Sequence, residues 1–327
     1  MEEPSAPAGD GSPAEAASRV ERFWSRLQDR ADPAGRVRFD RFMEFALYDP
    51  VEGYYSRTDR SFGAGGDFYT APALGPLFGR AIAERILTAW RLQGTPRTYR
   101  VVELGPGDGT LAADITAHLR PQIPPEGRWE YVLVERTGAR AEAARKRAGP
   151  VEGAIELRTA PRAGMDGPFV GAVVANEVLD AQPCRRFVAR EEGWFERFVD
   201  VEARREVEAR AVEPPARRPA EPGEELEIAP QAGGLLRELS DLLVDGLALL
   251  LDYGGTDPGG RRVGSLQTAR RHRPGSDPLG APGLEDLSCW VDFHRMRSLA
   301  ESAGFSVGAL RPQAEALVAW GLPALAA

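Results

Sequence analysis

The chain has 327 residues, a formal net charge of −8 and no long block of basic residues. This charge argues against nucleic acid as the main partner. The sequence contains no run of about 18 apolar residues, so it does not predict a membrane-spanning helix. Two distant cysteines, Cys184 and Cys289, and three scattered histidines indicate neither a disulfide framework nor a metal site.

The amino-terminal part predicts a helical extension over residues 14–95, preceded by a disordered tail over residues 1–13. The tail is acidic and rich in Pro, Gly and Ala, a composition that cannot bury a core. Apolar residues at helical spacing predict helices over residues 14–30, 40–47 and about 74–90.

A loop rich in glycine and aromatic residues lies between the second and third of these helices, at residues 62–70. We expect residues 63–70 to fold over a bound ligand, because the glycines allow hinge motion and Phe68 and Tyr69 can exclude water. Gly66 is then a ligand-binding candidate and Asp67 a catalytic candidate. The alternative for Asp67 is an ordinary turn residue.

Residues 96–327 predict an α/β domain, because strands and helices alternate as in a mostly parallel sheet covered on both faces. The run at 246–252 is apolar on both faces, which predicts a central strand. The five predicted strands are residues 99–104, 130–135, 154–158, 169–175 and 246–252.

Two stretches interrupt this pattern. Short alternating runs over residues 184–215 predict an inserted β-hairpin within an insertion at about 184–230. Residues 254–288 are rich in Gly, Pro and Arg and predict a long functional or disordered loop. A helix is predicted over residues 293–302, with Gly304 after its carboxyl end.

The sequence VVELGPGDGT at 101–110 ends a strand with a carboxylate and then places a glycine at every second position. Glycines at this spacing allow a sharp turn and the close approach of a ligand to the backbone. The predicted ligand is S-adenosylmethionine (SAM), whose ammonium and ribose suit acidic neighbours. The predicted cofactor-binding residues of this loop are Glu103, Gly105, Gly107 and Gly109.

A dinucleotide is the rival ligand. Residues 107–112 fit the G-x-G-x-x-A pattern of such sites, but Glu103 and Asp108 would repel a pyrophosphate. Glu135, at the end of the second strand, is placed to accept both ribose hydroxyls of either ligand. Phosphate binding of the P-loop type is excluded because the loop has no G-K-[ST].

Polar residues follow the fourth predicted strand, where ligands of such sheets bind. Asn176 is a cofactor-binding candidate, and Glu177 and Asp180 are catalytic candidates that could orient a nucleophile and take its proton. The alternatives are a helix cap for Asp180 and a surface carboxylate for Glu177.

Ten short motifs occur in an order that resembles the MidA / NDUFAF7-like family of SAM-dependent methyltransferases over residues 36–320. They are FMEFALYDP (42–50), GYY (53–55), FG (62–63), GDF (66–68), TAP (70–72), LFG (77–79), ELGPG (103–107), NEVLDA (176–181), DYG (252–254) and RRHR (270–273). The resemblance implies a class I methyltransferase (Rossmann-like) fold with an amino-terminal helical extension and an insertion before the fifth strand. One departure is Ala73, where the family usually has Glu.

The resemblance further implies methyl transfer to an arginine of a protein, with a subunit of a respiratory complex as the acceptor in mitochondrial members. Three alternatives stay open: a non-catalytic assembly factor, a small-molecule methyltransferase and, from residues 107–112 alone, a dinucleotide-dependent oxidoreductase. The cysteine usage fits a reducing compartment, so we expect a cytoplasmic bacterial protein. The oligomeric state is left open.

Overall fold

The computed structural model describes residues 12–56, 75–149, 155–160, 167–215, 221–256, 264–270, 273–275 and 277–326. The expectations for residues 1–11, for the loop at residues 63–70 with Gly66 and Asp67, and for Ala73 therefore concern residues outside the described ones. The predicted tail ends earlier than residue 13, because Ser12 caps the first helix and Pro13 begins it. No helix among the described residues is long and apolar enough to cross a membrane.

The described chain contains nine α-helices, fifteen strands and two short 3₁₀ turns, Tyr54–Ser56 and Arg120–Gln122. The helices are α1 (Pro13–Gln28), α2 (Phe39–Tyr48), α3 (Leu77–Leu92), α4 (Thr110–Leu119), α5 (Gly138–Ala148), α6 (Ala232–Leu242), α7 (Phe293–Ser302), α8 (Gln313–Ala319) and α9 (Leu322–Ala326). The strands are β1 (Arg36–Arg38), β2 (Thr98–Leu104), β3 (Arg128–Val134), β4 (Ile155–Ala160), β5 (Phe169–Asn176), β6 (Arg185–Arg190), β7 (Gly193–Asp200), β8 (Arg205–Arg210), β9 (Glu225–Ile228), β10 (Leu243–Leu251), β11 (Gly254–Gly255), β12 (Gln267–Arg270), β13 (Arg273–Gly275), β14 (Asp286–Ser288) and β15 (Val291–Asp292).

A parallel sheet of five strands forms the centre of the fold, in the order β10-β5-β2-β3-β4. Alternate residues of its strands face two different cores: Val101 and Val174 face one, and Val102 and Val173 face the other. The chain runs outward from β2 to β4 on one side and from β5 to β10 on the other. The carboxyl ends of β2 and β5 therefore form the point where the strand order reverses, which is where ligands bind in such sheets. The predicted α/β fold with a mostly parallel sheet is confirmed.

The fifth strand of this sheet differs from its prediction. Strand β10 was expected to be central from residue 246, but it lies at the edge of the described sheet and begins at Leu243, with an irregularity in its pairing before Asp245. Its apolar character has another cause, because Leu249 and Leu250 pack against the cores on opposite faces of the sheet. Coverage of both faces, not pairing on both edges, makes this strand apolar.

The predicted hairpin is present and belongs to a larger antiparallel sheet. Strands β6 and β7 pair around the Glu191–Glu192 turn, and β8 and β9 extend the sheet. Strand β1 of the amino-terminal extension pairs with β7, with Val37 opposite Val199. The extension and the insertion therefore share one sheet and one core, which contains Phe42.

Residues 254–288 were predicted as a loop, and among the described residues this prediction is wrong for the short strands that lie within the stretch. Strands β12, β13 and β14 form a three-stranded antiparallel sheet in which Thr268 and Leu287 are buried. These strands have three or four residues each, too few to show alternation within a sequence rich in Gly, Pro and Arg. The helix predicted at residues 293–302 is confirmed as α7, and Gly304 after it has a positive φ of 99°.

Candidate functional site

The glycine loop between β2 and α4 adopts the turn that its spacing predicts. Gly105, Gly107 and Gly109 have φ values of 61°, 59° and 84°, in the left-handed region that L-residues with side chains rarely adopt. The N–H of Gly105 donates to the carbonyl of Val134 at the end of β3, at 2.9 Å. A Cβ added at Gly105 would lie 3.0 Å from Cγ2 of Val178, so a side chain there would fill the space above the strand ends.

Gly109 has a structural requirement of its own. A Cβ at this position would lie 2.3 Å from the backbone carbonyl oxygen of Ala144, so the glycine allows α4 to approach α5. Nearby, Asp108 Oδ1 accepts the N–H of Thr110 at 3.0 Å, and its carboxylate pairs with Arg147 at 3.1 Å. The cofactor contact proposed for Gly109 stays a prediction, because helix packing already explains the glycine.

Glu103 lies beneath the glycine loop and is only 2% exposed. Its Oε2 accepts the hydroxyl of Tyr131 at 2.7 Å. Burial raises the pKa of Glu103 to about 7, against the hydrogen bond from Tyr131, which lowers it. This carboxyl group can therefore support the loop from below, and its direct contact with a cofactor stays a prediction.

Glu135 follows β3, at the position predicted to bind a ribose. Its Oε1 accepts the N–H groups of Arg136 at 2.8 Å and Thr137 at 3.1 Å, which fixes the turn into α5. A ribose diol would therefore meet the other oxygen, Oε2. The neighbouring Arg136 pairs with Glu44 of α2, which brings the amino-terminal extension against this end of the sheet.

The loop after β5 carries Asn176, Glu177 and Asp180. Glu177 has a φ of 53°, an uncommon conformation for a residue with a side chain and one that is often held at functional sites. Its N–H donates to the carbonyl of Leu251 at 2.9 Å, and the Asn176 side-chain amide donates to Glu177 Oε1 at 3.3 Å. The structure therefore brings the fourth-strand candidates together beside Val178, which borders the glycine loop.

Asp252, directly after β10, holds this loop in place. A single oxygen, Oδ2, accepts the N–H groups of Val178, Leu179 and Asp180 at 3.0, 2.7 and 3.3 Å. Such charge-assisted bonds to backbone groups are stronger than neutral ones. The sequence predicted Asp252 as the last residue of the fifth strand, but it gave no signal for this contact across more than 70 positions.

Acidic residues gather around this loop. The pKa of Asp180 is raised well above its ordinary value by burial and by the charges of Asp252, Asp286 and Glu177. Burial likewise raises the pKa of Asp252 to about 6, against its hydrogen bonds to the backbone. An incoming cation would relieve this repulsion, so the loop is suited to bind a positively charged group. No described helix begins at Asp180, so its alternative role as a helix cap is wrong.

The amino-terminal extension also contacts the loop, which the sequence did not predict. The hydroxyl of Tyr48, the last residue of α2, donates to the carbonyl of Ala181 at 2.9 Å. The guanidinium of Arg136 lies 3.9 Å from the centre of the same ring. The signal for this contact is the FMEFALYDP motif, in which Glu44 and Tyr48 are the two polar residues of an otherwise apolar stretch before Asp49.

The described residues fit SAM at the reversal point of the sheet. The left-handed glycines leave space above the ends of the strands, which a side chain at Gly105 would fill. Carboxyl groups lie below the glycine loop, at Glu103, and beside it, in the loop after β5. Gly105, Gly107, Glu135 and Asn176 stay the predicted cofactor-binding residues of this site. Within the part of the chain that the structure describes, no group of three or more His, Cys, Asp or Glu side chains could hold a metal ion.

Comparisons with known proteins agree with this geometry. Residues 81–310 match the family model described as "Putative S-adenosyl-L-methionine-dependent methyltransferase". The chain is 28% identical to the mouse protein arginine methyltransferase NDUFAF7, mitochondrial, over 90% of this chain and 73% of that protein. It is also 28% identical to the human protein of the same name, over 87% and 70%.

Two solved structures from Burkholderia thailandensis have the same fold. One, bound to S-adenosyl-homocysteine, is 29% identical, with a TM-score of 0.78 over 97% of this chain and 85% of that one. The other is a native structure that is 30% identical, with a TM-score of 0.79 over 97% and 84%. These similarities confirm the predicted methyltransferase fold and SAM as the cofactor.

Proposed function

Because this chain belongs to the family of S-adenosyl-L-methionine-dependent methyltransferases, we propose that it transfers the methyl group of SAM to an arginine nitrogen of a protein. The support has two parts. The similar mouse and human proteins are named protein arginine methyltransferases. The loop after β5 carries acidic side chains beside the glycine loop, and their charge is the second support for a cationic acceptor.

SAM, when bound, supplies a methyl group on a positively charged sulfur that a nucleophile displaces in line. The protein has to bring the acceptor nitrogen onto that line and hold it there, and positioning of this kind can supply much of a rate enhancement. Glu177 and Asp180 would bind the guanidinium from the side opposite Gly105. Asp252 keeps them in place because it fixes the backbone between them.

An arginine acceptor also has to lose a proton. Its pKa lies above about 12, so the guanidinium is fully charged at neutral pH. A carboxylate that first pairs with this charge and then accepts the proton performs both tasks. Glu177 is the candidate for both tasks, and Asp180 provides a second carboxyl group close enough for the two charges to repel each other.

A single observation carries the proposal: Glu177 is held at a φ of 53° at the strand end next to the glycine loop, among carboxyl groups that repel one another. A structural role gives no reason to keep a strained residue among like charges. A cationic acceptor gives both features a function.

The test is methyl transfer from tritium-labelled SAM to a bacterial lysate, followed by acid hydrolysis and separation of the labelled amino acids. Label in methylarginine supports the proposal. Label in another amino acid overturns arginine as the acceptor. Label only in the small-molecule fraction overturns a protein acceptor and favours the small-molecule alternative. A respiratory-complex subunit, the acceptor implied by the resemblance, is the first purified substrate to try.

A further inference from the structure

Cys184 and Cys289 are 105 positions apart in the sequence, yet their sulfur atoms are in contact. The two Sγ atoms are 2.9 Å apart, and Sδ of Met43 lies 3.8 Å from the Cys184 sulfur. Both side chains are free thiols and are buried, with exposures of 1% and 8%. The fold has therefore paired the two cysteines that the protein contains.

The pair is connected to the acidic loop through the backbone. Cys184 comes four positions after Asp180, at the end of the same loop. The N–H of Cys289 donates to the carbonyl of Asp180 at 2.8 Å. Val178 of this loop borders Gly105, so a displacement of the loop reaches the glycine turn.

A small oxidant can reach the sulfurs. A small open cavity of about 50 Å³ is lined by both cysteines, and Trp290 and Arg295 are among its other wall residues. Trp290 is 39% exposed, so the cavity wall reaches the protein surface. The contact with Cys184 and burial raise the pKa of the Cys289 thiol well above its ordinary value. A protonated thiol reacts slowly, so the pair persists in its reduced form until a reactive oxidant enters.

We propose that Cys184 and Cys289 form a reversible dithiol–disulfide site that adjusts the loop carrying Glu177 and Asp180. With a peroxide as oxidant, one thiol attacks an oxygen atom, the O–O bond breaks, and a sulfenic acid and one water form. The second sulfur then attacks the sulfenic sulfur and releases a second water. Two thiols are oxidised by two electrons and one peroxide is reduced to two waters.

Bond formation requires a small displacement of the loop. The sulfurs must approach from 2.9 Å to the roughly 2.05 Å of a disulfide. Since Cys289 is bonded to the Asp180 carbonyl, the displacement moves the backbone between Val178 and Cys184. We expect it to press Val178 against the glycine turn and to weaken cofactor binding.

The first experiment treats the reduced, folded protein with hydrogen peroxide, removes the peroxide with catalase and alkylates free thiols in denaturant. Mass spectrometry should show a monomer that has lost two hydrogens, takes up no alkylating reagent and yields a linked peptide with both cysteines. Dithiothreitol should restore both thiols. Two free thiols, a sulfinic acid on one cysteine or a disulfide between two chains would each overturn the site.

The second experiment titrates the reduced and oxidised forms with S-adenosylhomocysteine in a calorimeter. The oxidised form should bind at least about threefold more weakly, a change that dithiothreitol reverses. Equal affinity of the two forms would overturn the coupling to the cofactor site. Peroxide-treated Cys289→Ser should bind S-adenosylhomocysteine with the affinity of the reduced wild-type protein. If this variant does not fold, recovery of affinity by the oxidised wild type after dithiothreitol treatment provides the control. Neither readout depends on the identity of the methyl acceptor.

Discussion

The two halves of the site, the glycine loop and the acidic loop after β5, are built in different ways. The glycine loop reaches its left-handed turn through three glycines within five positions and is bonded to the neighbouring strand. The acidic loop reaches a left-handed conformation at Glu177, which carries a full side chain. Its backbone is held by Asp252, and Tyr48 and Cys289 contact it from other parts of the chain.

This difference separates two functions. A binding loop for a cofactor that many enzymes share can be encoded by a few consecutive residues, because only backbone conformation and space are needed. A site for one acceptor needs charged side chains at fixed positions, and those require support from distant elements. The glycine loop should therefore respond mainly to changes within it or in the residues packed directly against it, whereas the acidic loop should respond to changes far away in sequence.

The largest effect should come from the glycine loop itself. Gly105→Val puts a branched residue at a backbone φ of 61°, which such residues rarely adopt, and its side chain would occupy the space beside Val178. The substitution should therefore abolish binding of S-adenosylhomocysteine. Calorimetry on a folded sample is the measurement. Gly308→Ala is the matched control, since an added Cβ there meets no atom within 4 Å. Retained affinity in Gly105→Val would show that the cofactor does not lie over this loop.

The second prediction separates the two halves. Glu177→Gln keeps the shape of the side chain but removes its charge, so methyl transfer should fall by roughly a hundredfold, the scale of a lost general base. Affinity for SAM should stay within about threefold, because the glycine loop is unchanged. The exposed Glu202→Gln is the control. Transfer at the wild-type rate would mean that the Glu177 carboxylate is structural.

The third prediction concerns the support of the acidic loop. Asp252→Ala leaves three backbone N–H groups without their acceptor, so the free energy of unfolding should fall by about 2 kcal/mol at pH 5. Burial raises the pKa of Asp252 from 3.8 to about 6, so the wild type itself loses stability as the pH rises between these values, and its difference from the variant should be smaller at pH 8. Denaturant titration measures both values. A loss at pH 5 no larger than that of the exposed Asp241→Ala would mean that Asp252 does not hold the loop.

The smallest effect concerns the carboxyl group below the glycine loop. The folded protein holds the proton of Glu103 up to about pH 7, whereas its ordinary pKa is 4.5. Stability should therefore fall as the pH rises between these values, and Glu103→Gln should remove about 2 kcal/mol of that fall between pH 5 and 8. Unfolding titrations at the two pH values check this. The exposed Glu126→Gln should keep the wild-type slope, and an unchanged slope in Glu103→Gln would show that Glu103 is ionised in the folded protein.

The sequence was sufficient wherever local rules determine the structure. The positive φ angles at Gly105, Gly107 and Gly109 follow from glycine spacing. Helix α7 has the predicted bounds, and Gly304 after it has the predicted conformation. The strands of the parallel sheet were recognisable from apolar runs of strand length.

The sequence was insufficient wherever distant segments meet. An apolar run does not distinguish a central strand from an edge strand covered on both faces, which is why β10 was misplaced. Contacts across 70 or more positions, as between Asp252 and Leu179 or between Cys184 and Cys289, leave no spacing pattern in one sequence. The acidic candidates were visible as residues, but the bonds that hold them were not.

The most direct test of the central claim is a crystal structure with S-adenosylhomocysteine bound. The claim is that the cofactor lies over the glycine loop with its sulfur toward the acidic loop. The predicted result has the ribose at Glu135 and an open channel beside the sulfur that is lined by Glu177 and Asp180. A sulfur that faces away from Glu177, with another part of the protein lining the channel, would contradict the account.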